Sequence, residues 1–527
     1  MKYYRDLREH MAALEANGKL VRIKRPIVKE TELMPLVRWQ FRGLPEEMRK
    51  AFLFENVIDV KGRKYDIPVL TASHAASRQV YAIGMMCSPE DIDHRSVQAH
   101  LHPEIPKLVE SGPAQEEVHV GERLLEHGGL EEFPVPISTP GFDNAPYLTS
   151  GFWISKDPET GVRNMGCYRA MIKSRTRLGL FRREGQHLGM QWEKCKAKGI
   201  PLQAAIVIGT SPNIGYAAVT RLPFGQDELY FAGGIAGEPV ELVKCKTINL
   251  EVPATSEIVI EGELPIDFME REAPFGEYNG YMGMEEIGPY LNVTCITHRK
   301  NPIFNVFVSQ FPPSESSKLR EIGESGLLYK FLKHDCNIPS VLEVVQHESV
   351  GSTHYCVIRI KKQHPAQVWQ ALNLLSGRFP GAPKFVIAVD EDIDPKDPDA
   401  VNWALCWRVQ PHRDVRVVTG KTVAIDPSAH LPQSREAYPL PTGGSMLLID
   451  ATRKWDYPPV SLPKKEFMER AREIWEEEKL PKLIPKVPWF GYPLGYWTDE
   501  LEEEAQLALK GEHFQTGEKL ARNRIKV

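Results

Sequence analysis

The sequence lacks several patterns that would place it in a common class of protein. None of its eight cysteines belongs to a Cys-x-x-Cys pair, which argues against both a disulfide framework and a thiolate zinc site and favours reduced thiols in the cytoplasm. Any bound metal should therefore have nitrogen and oxygen ligands. There is no run of 18 apolar residues, and the charged amino terminus is unlike a signal peptide, so insertion in a membrane is not expected.

Motifs of the common nucleotide-binding and hydrolytic enzymes are also missing. The sequence has no Gly-x-Gly-x-x-Gly after a strand pattern, no Gly-x-x-x-x-Gly-Lys loop, no Gly-x-Ser-x-Gly elbow and no His-Glu-x-x-His. A formal net charge of −5 over 527 residues gives no indication of a nucleic-acid partner. The composition, with 42% hydrophobic and 26% charged residues, is ordinary for a globular protein.

The length predicts two or three hydrophobic cores, and the residue pattern divides the chain into three parts. Residues 1–115 mix helical and strand patterns and are expected to form an α/β domain. Residues 116–312 contain many short β-branched runs separated by Gly and Pro, which predicts a barrel or sandwich. In residues 313–527 strand patterns alternate with helical ones, as in a layered α/β domain, and end in a charged helical tail. This tail either packs on a neighbouring subunit or is solvated.

Periodicity predicts particular elements within these parts. Helices are predicted at residues 7–17, 366–375, 399–407, 464–479 and 499–510, and strands at residues 51–60, 204–208, 256–260, 291–296, 303–308, 355–360 and 384–389.

Two glutamates, Glu272 and Glu277, flank a Pro-Phe-Gly core and are predicted to lie on one tight loop. Two carboxylates held on such a loop can have different pKa values and act as acid and base. Their spacing alone fits two solvated loop residues at least as well. Both interpretations stay open at this point.

Residues 164–169 read Asn-Met-Gly-Cys-Tyr-Arg and precede a basic stretch. Such a stretch is usually a solvated face, but it also fits a strand pair that lines an anion site, because arginine presents a planar fork to carboxylate or phosphate. The basic residues are Lys173, Arg175, Arg177, Arg182 and Arg183.

One amide, one imidazole and one carboxylate further suggest a site for manganese or magnesium. Asn164, His187 and Glu228 together offer the oxygen-rich ligand set that such ions prefer. Their long spacing does not single them out, and a lone histidine is more often structural.

Several segments occur in one order over nearly the whole chain and are specific in combination. They are residues 164–169, Gln-His at 186–187, residues 227–234, Pro-Val-Glu-Leu-Val-Lys-Cys at 239–245, Leu-Glu-Val-Pro at 250–253, Ser-Glu-Ile-Val-Ile-Glu-Gly at 256–262, residues 272–280 and Lys-Phe-Val-Ile-Ala-Val-Asp at 384–390. With these segments the sequence resembles the UbiD family of reversible decarboxylases.

The resemblance implies a fold, an activity and partners. The fold would be an amino-terminal α/β domain, a central flavin-binding split β-barrel, and a carboxy-terminal α/β oligomerisation domain with a terminal helix. The activity would be the non-oxidative, reversible decarboxylation of an aromatic or α,β-unsaturated acid, with prenylated FMN as electron sink and with Mn²⁺ (or Mg²⁺ or another divalent ion) and K⁺. A flavin prenyltransferase would supply the cofactor, and the chain would form a homo-oligomer, a dimer or a hexamer.

The resemblance also implies roles for individual residues. Arg169 would orient the substrate carboxylate, Glu272 would hold Arg169, and Glu277 would deliver the proton. Asn164, His187 and Glu228 would bind the divalent metal. The residues expected at the flavin or its phosphate are Asn164, Cys167, Tyr168, Arg169, Phe181, Arg182, Gln186, His187 and Glu228.

The remaining implied contacts concern potassium and the substrate. Main-chain oxygens of Met165, Ala217 and Ala218 would bind potassium. Arg183 replaces an apolar residue of several relatives, and we expect it, with Tyr278, to contact the substrate. Arg183 would suit a second acidic group, such as another ring carboxylate or part of a coenzyme A thioester. Met446 stands where some relatives have Lys, so contacts there stay open.

Two other functions are compatible with parts of this pattern. A flavin oxidoreductase could use the same type of barrel but would not need Arg169, Glu272 and Glu277 together. A non-catalytic subunit of a carboxylase complex would bind partners without a complete site. The complete set of residues favours the decarboxylase.

Overall fold

The computed structural model describes residues 2–181, 185–272, 274–283, 286–378, 383–421, 425–429 and 444–522. Within these ranges, no helix combines the length and the apolar character that a membrane crossing requires.

The amino-terminal part contains small sheets covered by helices. Its elements are α1 (Leu7–Ala16), β1 (Leu20–Ile23), β2 (Ile27–Val28), α2 (Leu33–Gly43), β3 (Ala51–Phe54), β4 (Val57–Ile58), β5 (Lys64–Tyr65), β6 (Val69–Thr71), α3 (Arg78–Met85) and α4 (Ile92–Leu101). Helix α1 begins where the Asp6 carboxylate accepts hydrogen bonds from the amides of Arg8 and Glu9, because these amides have no partner inside the helix.

The single strand predicted at residues 51–60 is wrong in its extent. Strand β3 pairs with β1, whereas β4 pairs with β2 in a different sheet. The bend at Glu55 and Asn56 carries the chain from one sheet to the other, so one apolar run forms two short strands.

The central part is dominated by strands. Its elements are β7 (Lys107–Leu108), β8 (Glu117–Val120), β9 (Tyr147–Leu148), β10 (Phe152–Lys156), β11 (Arg163–Cys167), β12 (Ala170–Ser174), β13 (Arg177–Leu180), α5 (His187–Lys198), β14 (Leu202–Ile208), α6 (Pro212–Val219), α7 (Glu228–Ala236), β15 (Glu241–Lys244), β16 (Glu251–Pro253), β17 (Ile258–Leu264), β18 (Glu270–Glu272), β19 (Phe275–Gly276), β20 (Met282–Gly283), β21 (Glu286–Gly288), β22 (Tyr290–His298) and β23 (Phe304–Val306).

The main central sheet is a curled half-barrel with the strand order β11-β10-β14-β17-β22-β13-β12-β9, and β8 also pairs with β22. Both of its faces are covered. Along β10, Trp153 packs into one hydrophobic cluster while Phe152 and Ile154 pack into another, because successive side chains of a strand point to opposite faces. This explains why strand β14, Leu-Gln-Ala-Ala-Ile-Val-Ile, is apolar at every position but one.

Strand β23 leaves the central part and completes the amino-terminal sheet, whose order is β1-β3-β6-β23. It pairs in parallel with β6, with Phe304 opposite Val69 and Val306 opposite Thr71. The two parts of the chain therefore share a sheet.

The carboxy-terminal part is a layered α/β unit, as predicted. Its elements are α8 (Glu315–Lys330), β24 (Val341–Gln346), β25 (Tyr355–Ile360), α9 (Ala366–Arg378), β26 (Phe385–Asp390), α10 (Pro398–Arg408), α11 (Pro411–Asp414), β27 (Val415–Lys421), β28 (Gly444–Ala451), α12 (Lys465–Glu477), α13 (Asp499–Leu509) and α14 (His513–Arg522). The sheet order is β24-β25-β26-β28-β27, with parallel pairing from β25 through β28. The α14 helix lies beyond the helices predicted in the tail.

Candidate active site

The guanidinium of Arg169 lies between two buried carboxylates. Its Nε donates to Oε1 of Glu272 at 2.9 Å and its Nη2 donates to Oε2 of the same residue at 2.7 Å. Nη1 donates to Oε1 of Glu277. Only 9% of the Arg169 side chain and 2% of the Glu272 side chain are exposed, so this two-point ion pair is shielded from water and fixes the plane of the guanidinium.

The three residues come from neighbouring turns of the central part. Arg169 lies between β11 and β12, Glu272 ends β18, and Glu277 follows β19. The sequence predicted one loop for the two glutamates, and the structure instead places them at the ends of short paired strands. Gly280, in the turn after Glu277, has a φ of +94°, and a Cβ there would lie 2.9 Å from the Phe311 ring.

Aromatic rings enclose the guanidinium. The Cζ atom of Arg169 is 4.0 Å from the ring centre of Phe181 and 5.2 Å from that of Phe275. Tyr147 lies against Phe275, with ring centres 4.4 Å apart. Burial by itself would lower the pKa of Arg169, but the carboxylates of Glu277 and Glu272 raise it above its ordinary value. The guanidinium therefore stays charged.

Asp143 is a site residue that the sequence analysis missed. Its carboxylate accepts hydrogen bonds from the amides of Thr139 at 2.7 Å and Gly276 at 3.2 Å, and thus holds the strand just before Glu277. Burial raises the pKa of Asp143 to about 6, although these amides and the charge of Arg169 act in the opposite direction. No motif around this residue distinguishes it from any loop aspartate.

Asn164, His187 and Glu228 also come together. Nδ1 of His187 is 3.1 Å from Oδ1 of Asn164 and 3.9 Å from Oε1 of Glu228. His187 is the first residue of α5 and Glu228 is the first residue of α7, so two helix starts bring their side chains towards β11. The other oxygen of Glu228 accepts a 2.7 Å hydrogen bond from the amide of Met165.

The electrostatics of this group fit a cation. Burial raises the pKa of Glu228 to about 8 and lowers the pKa of His187. Two oxygen donors and one imidazole nitrogen within this range match the ligand preferences of Mn²⁺ and Mg²⁺. The neighbouring Asp227 caps α7 and pairs with Arg163 at 2.8 Å, which fixes the helix start.

The residues expected at the flavin lie around the same turns. Burial raises the pKa values of both Cys167 and Tyr168 to about 12, so both side chains are neutral. Phe181 is buried against Arg169, and Gln186 directly precedes α5. Arg182 and Arg183 lie outside the described residues.

The three residues predicted to bind potassium lie in one hydrophobic cluster. Met165 belongs to β11, while Ala217 and Ala218 belong to α6. The carbonyl oxygen of Ala217 accepts a hydrogen bond from the amide of Thr220 at 3.1 Å. The potassium contact remains a prediction.

Tyr278, a predicted substrate residue, packs against a second guanidinium. The Cζ atom of Arg320 lies 4.5 Å from the Tyr278 ring centre. Its Nη1 donates to the carbonyl and hydroxyl oxygens of Ser316, both at 3.3 Å, and within the described residues it forms no ion pair, since the nearby Glu324 pairs with Arg221. Burial lowers the pKa of Arg320. Nothing in the local sequence of α8 suggested this residue, because only the fold brings α8 to the turn after Glu277.

The three described residues of the basic stretch each form an ion pair. Lys173 and Arg177 both pair with Glu270, at 2.9 and 2.7 Å, and Arg175 pairs with Glu131 at 2.8 Å. Carboxylates from other elements thus neutralise these three basic residues, and Arg182 and Arg183 of the same stretch lie outside the described residues, so the anion site stays a prediction.

Comparison with known proteins gives consistent results. Residues 107–311 match the family model of the 3-octaprenyl-4-hydroxybenzoate carboxy-lyase Rift-related domain, and residues 318–451 match that of the corresponding C-terminal domain, named UbiD and UbiD_C. An uncharacterized protein of Aquifex aeolicus is 33% identical over 509 residues, which covers 90% of this chain and 98% of the relative.

Solved structures resemble the chain over most of its length. An evolved dimeric form of the UbiD-class enzyme HmfF from Pelotomaculum thermopropionicum, in complex with prFMN, has a TM-score of 0.73 and 30% identity, covering 87% of this chain and 97% of that one. Vanillic acid decarboxylase from Sedimentibacter hydroxybenzoicus in its closed form has a TM-score of 0.77 and 27% identity, covering 90% of this chain and all of that one (100%).

Proposed function

This chain belongs to the UbiD family of carboxy-lyases, and we propose that it removes CO₂ reversibly from an aromatic or α,β-unsaturated carboxylic acid with the aid of prenylated FMN. The observation that carries the proposal is the buried arrangement of Arg169 between Glu272 and Glu277. A flavin oxidoreductase has no need of a guanidinium held in this way.

Arg169 is suited to bind the substrate carboxylate. A guanidinium has five N–H donors, and the two glutamates use three of them. One donor on Nη1 and one on Nη2 therefore remain for the two oxygens of a carboxylate. Glu272 keeps the guanidinium in place, so the substrate need not reorganise it.

Glu277 is suited to supply the proton. When CO₂ leaves, the electron pair of the broken bond remains on the substrate carbon, and one proton must be added there to complete the product. Glu277 lies beside Arg169, where the substrate carboxylate would bind, and its side chain is only 8% exposed. In the proposed reaction its carboxyl group transfers this proton and later takes another from solvent.

The cofactor and its metal fit the chemistry of the residues present. Prenylated FMN, when bound, would supply the electron sink that decarboxylation requires. Asn164, His187 and Glu228 would hold Mn²⁺ or another divalent ion against the cofactor phosphate, because their donors converge and Glu228 is a buried carboxylate. The flavin would be contacted by Cys167, Tyr168, Phe181 and Gln186, and by Arg182, which lies outside the described residues.

The substrate is proposed to carry a second acidic group. Arg320 supports this, because it is partly buried beside Tyr278, close to the turn that holds Glu277, and has no ion pair among the described residues. Arg183 remains a second candidate for the same contact. Such a group would be a further carboxylate or part of a coenzyme A thioester.

We also propose the source of the cofactor, a potassium site, the cellular location and the oligomeric state of the enzyme. A flavin prenyltransferase would provide the cofactor, potassium would bind at Met165, Ala217 and Ala218, and the chain would act as a cytoplasmic homo-oligomer. These proposals rest on the family and on the eight free thiols.

The deciding experiment is co-production with a flavin prenyltransferase, followed by mass spectrometry of the released flavin and a screen of aromatic and unsaturated acids for CO₂ release. Prenylated FMN together with CO₂ release that is lost in Arg169→Lys is the expected result. Unmodified FMN with oxidation of a nicotinamide cofactor would instead identify an oxidoreductase. A loaded chain that is inactive until a partner is added would identify a subunit of a larger complex.

A further inference from the structure

Two buried histidines meet where β8 pairs with β22 of the central sheet. His119 of β8 lies opposite Ile296 of β22, and His298 lies two residues further along β22. Both imidazoles therefore point to the same face of the sheet. Their Nε2 atoms are 3.0 Å apart, and the residues are only 3% and 6% exposed.

A carboxylate completes this group. Oε1 of Glu132 is 3.5 Å from Nε2 of His298, and one donor atom from each of His119, Glu132 and His298 lies within 4.8 Å of the others. Glu132 reaches this position because the segment after β8 turns back over the strand pair. The turn depends on Gly129, whose φ is +60° and where a Cβ would lie 2.4 Å from the Arg175 carbonyl oxygen.

The tautomer of His298 suits a metal ligand. Its Nδ1 is 2.8 Å from the carbonyl oxygen of Arg299 and must donate to it, since a carbonyl only accepts. In the neutral ring Nε2 then carries a lone pair directed at the group. A backbone carbonyl that fixes the ring of a histidine in this way is a common outer-shell feature of metal sites.

His119 supplies an independent observation. Its Nδ1 is buried and has no hydrogen-bond partner among the described residues. An unpaired buried nitrogen lowers the stability of the folded protein, and the contact of the ring's other nitrogen with the His298 ring does not remove this cost. Glu126 and His127 also place donor atoms within 4.8 Å of a ring nitrogen of His119. If a metal bound Nε2, the proton would reside on Nδ1, and Glu126 or His127 would be its acceptor.

We propose that His119, His298 and Glu132 bind a divalent transition metal, with Zn²⁺ as the preferred ion. Two imidazoles and one carboxylate are a recurrent zinc ligand set, with bonds of about 2.0–2.2 Å. Donor separations of 3.0 and 3.5 Å suit ligands around one such ion. The ion would fasten residues 121–132 to the sheet, and none of its ligands is shared with the proposed flavin and metal site.

The test uses the full-length chain in a Glu228→Gln background, so that metal in the proposed cofactor site does not contribute. After removal of metals with a chelator, the protein is equilibrated with Zn²⁺ and its zinc content is measured by elemental analysis. One equivalent is expected. Adding Glu132→Gln should lower the affinity by more than the roughly 10–100-fold that loss of an outer-shell partner costs.

The matched control is Glu131→Gln, because Glu131 is the preceding residue and pairs on the surface with Arg175. The Glu131→Gln variant should bind zinc with the same affinity as the Glu228→Gln background protein. Equal zinc affinity in the Glu132 and Glu131 variants, from zinc content measured over a range of free Zn²⁺ concentrations, would overturn the proposal, and so would a background protein without bound zinc, in which the two histidines would merely share a proton.

A Glu132 variant that folds poorly could lose zinc for that reason alone. Hydrogen exchange is therefore also measured on the chain that keeps Glu132. With Zn²⁺, amides of residues 121–132 should exchange at least several-fold more slowly than with chelator, while those of α9 should not change. Equal rates in residues 121–132 would show that no ion fastens this segment.

Discussion

Arg169 and Glu272 form two parallel hydrogen bonds, at 2.9 and 2.7 Å, in a setting almost closed to solvent. The pair joins the end of one short strand to the turn before another, 103 residues apart in the sequence. Its geometry determines how the remaining N–H groups of Arg169 are directed.

Glu272→Gln should weaken both folding and substrate binding. The amide keeps only one acceptor oxygen and carries no charge, so Arg169 would be left as a buried cation with less compensation. Breaking a buried ion pair typically costs about 3–5 kcal/mol, and we expect a loss of this order in the free energy of unfolding, with a higher KM. Denaturant unfolding and steady-state kinetics measure these changes. Glu270→Gln is the control, since Glu270 lies two residues earlier, pairs with Lys173 and Arg177, and has a side chain that is 26% exposed, against 2% for Glu272. A similar loss in this control would refute the assignment.

Glu277→Gln should leave flavin binding intact but remove the proposed proton donor. A positioned general acid contributes about 10²–10⁴-fold in rate, so kcat should fall by that factor with little change in KM. The same substitution should slow exchange of the product hydrogen for deuterium in heavy water, followed by NMR. If the variant exchanges as fast as the parent, the acid is another residue.

Asp143 predicts a pH dependence of stability. Its pKa is raised from 3.8 to about 6 in the folded protein, so between these values the folded state binds more protons than the unfolded state. Its stabilising contribution is complete below about pH 4 and is lost as the pH rises through about 6. Asp143→Asn cannot ionise, so the melting temperature of the parent relative to this variant should fall from pH 4 to 7. A difference that stays constant over this range would contradict the raised pKa.

His187→Ala and Glu228→Ala should each reduce manganese and flavin content together, because one ion is proposed to join the protein to the cofactor phosphate. Elemental analysis and flavin absorbance of the reconstituted protein test this. The exposed His364 provides the control substitution, His364→Ala. Full metal retention in both site variants would refute the ligand assignment.

Arg320→Met should discriminate between substrates. Loss of this guanidinium should raise KM for an acid with a second anionic group by about 10-fold or more, as hydrogen bonds to charged groups contribute roughly 1.5–3 kcal/mol, and should affect a simple monoacid much less. The surface variant Arg177→Met should change neither. Equal effects on both acids would place Arg320 outside the substrate contact.

The mixed α/β fold class could be predicted from the sequence because long strands and helices such as β14, β25 and α9 carry clear periodicity. Elements of two or three residues, such as β18 and β19, carry none. This is why Glu272 and Glu277 were expected on one loop.

The site could be predicted only where a motif marked it. Arg169, Glu272 and Glu277 were found through the family resemblance, since nothing in a separation of about a hundred residues reveals a contact. Asp143 and Arg320 were missed because their partners lie on other elements and neither residue stands in a distinctive motif. The ion pairs of the basic stretch with Glu270 and Glu131 could not be predicted from the sequence for the same reason.

The shared sheet has a consequence for how the chain folds as it is made. Strand β6 is synthesised early, but its partner β23 follows about 235 residues later. At ribosomal rates of about 5–20 residues per second, that edge would wait roughly 10–50 s for its partner. During this interval an unpaired edge strand invites pairing with other nascent chains, so the edge of β6 is exposed to aggregation until β23 has been made.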